Sequence, residues 1–314
     1  HIPNPDAAMT DKTDLKLNLS AGLMSSSVAF VLVLAKLWAL GATSSLAIAA
    51  SLADSALDLM VSLGGLAAIA YAARPADDDH AFGHSSAEDL AALGQSVVIL
   101  ASAALIAWTA IGRLLAGPPG PIEQEGWGMA VMVLSIVLTL LLVAWQRWVI
   151  RKTGNRVVAA DSLHYLGDLI PGIGAILALL ASKWFGLGQV DSVVALGAAA
   201  MLAIGAARIG KGAWDALMDR SADPSMVAGI EEIASRHPGV RGYHDLKTRT
   251  AGSVVFVNLH IELDGNQTLD AAHAIGASLR RDIIAAYPRA DVMIHKDPVG
   301  VEPHPDDPGK AAQR

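Results

Sequence analysis

Cysteine is absent from the 314-residue chain. That excludes disulfides and thiolate metal sites, and it leaves His, Asp and Glu to do any metal chemistry. Charge is also scarce: Asp, Glu, Lys and Arg make up 17% of the residues, against about 25% in an ordinary soluble domain. Aromatic residues contribute only 5%. The formal charge of -7 comes with no basic stripe and no aromatic platform for bases, which excludes nucleic acid as a partner. No repeat of solenoid type and no low-complexity tract appears. Polar residues precede the first apolar run and no small-residue cleavage site follows a short apolar core, so no cleavable signal peptide is predicted.

What the chain has is apolar length. Hydrophobic residues make up 53% of it, and a helix crossing ~30 Å of hydrocarbon needs about 20 such residues. Runs at roughly 18–40, 44–72, 88–116, 125–150, 158–181 and 190–213 predict six spanning helices. Lys and Arg near the span ends set the orientation. With both termini cytoplasmic, Lys12, Lys16, Arg74, Arg147, Arg151, Lys152, Arg156, Arg208 and Lys211 lie inside, against Lys36, Arg113 and Lys183 outside. The short turns "GATS", "GPPGP" and "KWFGLGQ" are then external, and "RPADDDHAFGHSSAED" is an internal loop that mixes acids with histidines.

After about Asp219 the charge density rises and six of the ten histidines occur. Asp223 caps a helix that starts with Pro224. Two strands, "VRGYHDLKTRT" and "SVVFVNLHIEL", join near Ala251 and Gly252. A helix over about Leu269–Tyr287 and a strand over 290–297 complete an αββαβ order. Val255, Val257, Leu259, Ile261 and Leu263 share one strand face, so His260 points to the polar one. The predicted fold class is an all-α six-helix transmembrane domain plus a cytoplasmic α+β domain of ferredoxin-like or metallochaperone-like type. Its divisions are an N-terminal cytoplasmic segment at 1–17, the six-helix domain at 18–213, a cytoplasmic domain at 214–300 and a disordered tail at 301–314.

Inside the second span, "ADSALDLMV" carries Asp54 and Asp58. An Asp at a helix centre costs ~2.5 to 3.5 kcal/mol on insertion scales, so intramembrane carboxylates point to function. Their i, i+4 spacing puts both on one face. The fifth span repeats the device in "DSLHYLGDL", with His164 and Asp168 on one face and Asp161 a turn earlier. Two anions held close in a low-dielectric site repel unless a cation sits between them. Three carboxylates and an imidazole suit a divalent metal of borderline hardness, held tetrahedrally if it is Zn²⁺.

These residues, with "RPADDDHAFGHSSAEDLAALGQS", "WQRWVIRKT", "GYHDLKTRTAG", "VNLHIEL", "AAHAI" and "DVMIHKDP" in fixed order, resemble the cation diffusion facilitators, closely the bacterial branch that exports zinc or ferrous iron. The resemblance runs from about Asp14 to Pro303. It implies a homodimer in the bacterial inner membrane that exchanges cytoplasmic metal for protons. It also implies a transport site of Asp54, Asp58, His164 and Asp168, and a loop site of Asp77, His80 and His84. A binuclear cytoplasmic site would use His244, His260, His273, His295 and Asp297. By spacing alone, the loop trio serves one ion or is a solvated acidic linker. Two departures stand out. Ser86 occupies a position where relatives often carry a Lys able to pair across the dimer with an Asp at the end of span six, here Asp219. Pro171 removes a backbone hydrogen bond and should kink the fifth span.

The expected mechanism is alternating access in which protons and metal compete for the same ligands, with His164 the pH-sensitive one, since an unperturbed imidazole titrates near pH 6.5. The donor set favours Zn²⁺, with Cd²⁺ and Fe²⁺ as further cargo, and affinity order alone ranks Zn²⁺ above Fe²⁺ and Mn²⁺. The expected class is thus a secondary transporter and not an enzyme. Two other classes compete. A non-transporting membrane metal sensor would show no flux, and an intramembrane aspartyl protease would leave His164 without a role.

Overall fold

The computed structural model describes residues 5–43, 46–116, 126–167, 169 and 190–300. Asp168, Pro171 and the side chain of Asp54 lie outside the described residues. The chain divides into two compact units, one formed by Asp14–Trp214 and the other containing Asp215 onward.

The first unit is helical: α1 spans Pro5–Thr43, α2 Leu46–Ala72, α3 Ser86–Ala116, α4 Gly126–Thr153 and α6 Val190–Leu217, with α5 helical over 156–167. Among the described residues, four segments are long and apolar enough to cross a bilayer: Thr13–Gly41, Ser55–Ala72, Ser86–Leu115 and Val133–Thr153. Helix α1 starts well before the apolar run predicted at 18, because no Gly or Pro interrupts residues 6–20.

The turn between α4 and α5 is built by two residues. Gly154, at φ 66°, closes α4 by donating its N–H to the Ile150 carbonyl at 2.8 Å, a left-handed cap that glycine adopts without strain. Asn155 then caps α5, its Oδ1 accepting from the Val158 N–H at 3.1 Å. So short a link makes α4 and α5 antiparallel neighbours. Helix α6 approaches α5 and α3 closely. A Cβ on Gly205 would meet Leu163 Cδ2 at 2.8 Å, and one on Gly210 would meet Ser96 Oγ at 2.5 Å, the small-residue packing typical of membrane helices. Polarity is inverted relative to a soluble domain: Trp108, Leu105 and Ile204 are exposed, while Ser25, Ser62 and Gln146 are buried. Such an outside suits lipid.

The second unit contains α7 (Pro224–Arg236), β1 (Gly242–Ala251), β2 (Val254–Leu263), α8 (Leu269–Ala286) and β3 (Ala290–Pro298). Strand order is β1-β2-β3, with β1 antiparallel to β2 and β2 parallel to β3. Asp223 caps α7 through the Ser225 N–H at 2.8 Å, with Pro224 in the first turn, and Thr268 caps α8 through the Ala271 N–H at 3.2 Å. Gly252, at φ 54°, turns the hairpin. Val257, Leu259, Ile261 and Leu263 pack with Ile230, Leu279, Ile283 and Val292 into the core. The opposite sheet face carries a row of histidines, because His244 is in register with His260 and His260 with His295. A register shift between His244 and Lys247 puts Asp245 at φ 48°.

Candidate metal centres

In the membrane unit, α2 and α5 bring Asp58 and His164 together: His164 Nε2 lies 2.9 Å from Asp58 Oδ1. Both side chains are largely withdrawn from solvent, at 14% and 11% exposure. Asp54 stands one turn before Asp58 on α2, and its side chain is outside the described residues. Asp168, the fourth expected ligand, is outside them as well. A buried carboxylate against an imidazole is costly to desolvate unless something charged, a proton or a metal ion, is shared between them.

Between α2 and α3, Asp77, His80 and His84 each offer a ligand atom within 4.8 Å of the others. Gly83, at φ 82°, reverses the chain just before His84. Asp77 Oδ1 accepts from the His80 N–H at 2.7 Å and from the Asp79 N–H at 3.2 Å, and it lies 3.1 Å from His80 Nδ1. His84 Nε2 is 3.3 Å from Oδ2. The backbone N–H of His80, followed by its ring, holds the Asp77 carboxyl below the usual carboxylate range, so it stays ionised and ready to ligate. His84 is buried and edge-on to Tyr71, with ring centroids 4.7 Å apart. Its Nδ1 has no hydrogen-bond partner.

In the C-terminal unit, Asp297 sits beside the histidine row. Its Oδ2 lies 3.0 Å from His260 Nδ1 and 3.5 Å from His244 Nε2, and its Oδ1 lies 3.1 Å from His295 Nε2. His244, His260 and Asp297 form a compact trio. The two Asp297 oxygens thus face different imidazoles, Oδ2 toward His260 and Oδ1 toward His295. His273, on α8, is exposed and is not brought into this trio.

These donor sets fit a divalent cation. Bonds of ~2.1 Å in a tetrahedron put neighbouring ligand atoms about 3.4 Å apart, and the separations given above lie close to that value. The donors are nitrogen and oxygen only, the choice of borderline and harder divalent ions.

The description "cation efflux transmembrane domain" matches residues 23–218, and "cation efflux protein, cytoplasmic domain" matches residues 222–299. The cation-efflux pump FieF of Cronobacter sakazakii is 41% identical over 283 residues, covering 90% of this chain and 93% of that protein. FieF of Salmonella arizonae is 39% identical over the same shares. Among solved structures, the metal-bound C-terminal domain of the CzcD transporter from Thermotoga maritima is 28% identical, covering 25% of this chain and 93% of that one, at a TM-score of 0.25. The chain belongs to the cation diffusion facilitator family. This cation diffusion facilitator is therefore a multi-pass membrane transporter that exports divalent metal, with an α+β cytoplasmic domain.

Several side chains of the facilitator near these centres carry no ligand motif of their own in the sequence. Glu262 Oε1 lies 3.3 Å from His244 Nδ1, and Asp245 Oδ2 lies 3.9 Å from His260 Nε2. Glu262 shares the strand alternation of His260, which could have found it. Asp245 reaches the site only through the bulge, which alternation does not show. Gln146 of α4 donates to Asp161 at 2.7 Å, a contact between residues that nothing in their spacing pairs. Asp219, at φ 56°, lies 3.3 Å from Arg249 of its own protomer, and Ser86 opens α3.

Proposed function

We propose that the transporter exports Zn²⁺ from the cytoplasm in exchange for protons by alternating access, with Cd²⁺ and Fe²⁺ as further cargo. Asp54, Asp58, His164 and Asp168 hold the ion in transit. The observation that carries this reading is the 2.9 Å contact between His164 Nε2 and Asp58 Oδ1, which joins α2 to α5. A single imidazole nitrogen cannot donate a proton to Asp58 and lend its lone pair to a metal at once. Proton and cargo therefore compete for one atom. Cytoplasmic Zn²⁺ displaces the Nε2 proton and takes both ligands, and protonation on the far side restores the hydrogen bond and expels the ion. The sign follows: lower external pH speeds release.

Asp77, His80 and His84 form a second, cytoplasmic-facing centre. His244, His260, His295 and Asp297, joined by His273 as expected from family resemblance, form a binuclear one that reports cytoplasmic metal and does not lie on the path. Its role is regulatory, exerted on a homodimer of six-span protomers in the bacterial inner membrane with both termini cytoplasmic. The working domain limits are 18–213 for transport and 214–300 for regulation.

Purified protein in vesicles loaded with a zinc-sensitive dye tests this. Zn²⁺ entry should depend on an opposing proton gradient and vanish in Asp58→Ala. Flux unchanged by Asp58→Ala, or cleavage of a membrane peptide without ion flux, overturns the reading.

A further inference from the structure

Asp161 is a buried carboxyl group that the metal chemistry does not use. It is 6% exposed, and its partners are neutral. Gln146 Nε2 donates to Oδ2 at 2.7 Å, and Ser62 Oγ lies 3.4 Å from Oδ1. Ser62 Oγ is in turn 3.0 Å from Tyr165 Oη and accepts from Ser25 Oγ at 2.8 Å. The Tyr165 hydroxyl donates to the Ser25 carbonyl at 3.4 Å. Helices α1 and α4 thus present only uncharged groups to Asp161 among the described residues. The titratable groups beside it are His164 and Tyr165 on α5, and on α2 Asp58 stands one turn from Ser62.

We propose that Asp161 is a proton-binding site of the transport cycle, separate from the metal ligands. The proposal rests on the proton-exchange reading above and names a carrier for one of the protons. The chain of hydroxyls accommodates both protonation states without leaving a group unsatisfied. When Asp161 is ionised, the Ser62 hydroxyl turns toward Oδ1. When a proton binds, the new O–H donates to Ser62 Oγ, whose own hydrogen turns to Tyr165 Oη, while Tyr165 keeps the Ser25 carbonyl. One bond forms, from oxygen to the incoming proton, and nothing else is transferred. A cavity of about 10 Å³ touches Ser62, Gln146 and Asp161, a size that holds about one water, and Gln146 Oε1 is buried without a partner. A water there would connect the carboxyl to its surroundings.

Position couples this site to transport. Ser62 lies one turn after Asp58 on α2, and Asp161 lies one turn before His164 on α5. The pairs Asp58–His164 and Ser62–Asp161 are successive rungs between the same two antiparallel helices. A displacement that opens the metal rung stretches the proton rung, so occupancy of one biases the other.

The test uses the full chain in vesicles, with Asp161→Asn as the neutral isostere. The wild type should show a protonated-carboxyl C=O band in the infrared difference between zinc-free and zinc-loaded protein, and Asp161→Asn should lose it. The variant should still bind Zn²⁺ at alkaline pH, move about one proton fewer per ion and show a flatter pH profile of flux. An unaltered band and an unaltered proton count overturn the proposal. Should Asp161→Asn not fold, Ser62→Ala keeps the carboxyl and removes its hydroxyl partner. A displaced pH midpoint supports the proposal, and an unmoved one overturns it. Zinc flux without any proton movement in the wild type would sink the exchange reading itself. Proton exchange of wild-type stoichiometry in Asp161→Asn would sink only the assignment to Asp161.

Discussion

The membrane unit and the C-terminal unit use the same ligand chemistry in opposite surroundings. Asp58 and His164 sit in a helical interior, mostly out of solvent, and the largest apolar side chains of that unit, such as Trp108 and Leu105, face outward. In the C-terminal unit the apolar residues are inside, and the histidine row lies on the open sheet face, where His295 is 63% exposed. Burial makes an unpaired carboxylate or imidazolium expensive, so a membrane centre must always hold something, whether proton or cargo. The C-terminal centre is only half-buried, with His260 at 25% and Asp297 at 27% exposure, and carries less of that obligation. Water satisfies its empty state, and it can fill and drain with cytoplasmic metal. The contrast fits the proposed division of labour, in which the membrane unit moves the ion and the C-terminal unit senses it.

Four experiments bear on that contrast. The largest effect is expected for Asp58→Ala, which should cut zinc flux by more than about 100-fold, as loss of even a supporting partner of a metal ligand costs 10- to 100-fold. Flux assays in dye-loaded vesicles check it. Next, Leu279→Ala, a fully buried core position of the C-terminal unit, should destabilise that unit by about 2–5 kcal/mol. Leu105→Ala, on an outward face of α3, should stay within about 0.5 kcal/mol. Unfolding followed by circular dichroism compares the two, and equal costs would erase the inside-out distinction. A smaller effect is expected for His260→Ala, which should weaken metal binding at the C-terminal centre about 10- to 100-fold while zinc flux persists. Titration calorimetry alongside the flux assay separates the two functions.

The smallest effect concerns the loop. The Asp77 carboxyl is held below its usual range by the His80 backbone N–H. A carboxyl lowered in the folded state contributes order that is fully present above the usual carboxylate pKa and is lost as pH falls through the lowered value. The His80 amide should therefore stay protected from hydrogen exchange until pH drops below the ordinary carboxylate range. Asp77→Asn should remove that acid transition. Loss of protection in wild type near neutral pH would contradict the assignment.

Much of this was legible in the sequence, for physical reasons that vary by element. The strand alternation of residues 255–263 fixed which side His260 faces, and the Asp223-Pro224 pair marked the start of α7. The i, i+4 spacings in α2 and α5 pointed to Asp58 and His164, which the structure brings together, whereas Asp168 and the side chain of Asp54 lie outside the described residues. Contacts between elements were harder. The histidine row depends on strand register, Asp245 enters through a bulge, and Gln146 meets Asp161 because Gly154 and Asn155 fold α4 back on α5. None of these leaves a periodic trace. Helix α1 extends past its apolar run because helix propagation needs no hydrophobicity, only the absence of a breaker.

The cysteine-free chain permits one direct test of the claim that α2 and α5 share the cargo. In an Asp58→Cys/His164→Cys double variant in vesicles, Cd²⁺ should bridge the two thiolates. The account predicts a sulfur-to-cadmium charge-transfer absorbance together with protection of both thiols from alkylation. Thiols that alkylate freely in saturating Cd²⁺, with no such absorbance, would contradict it.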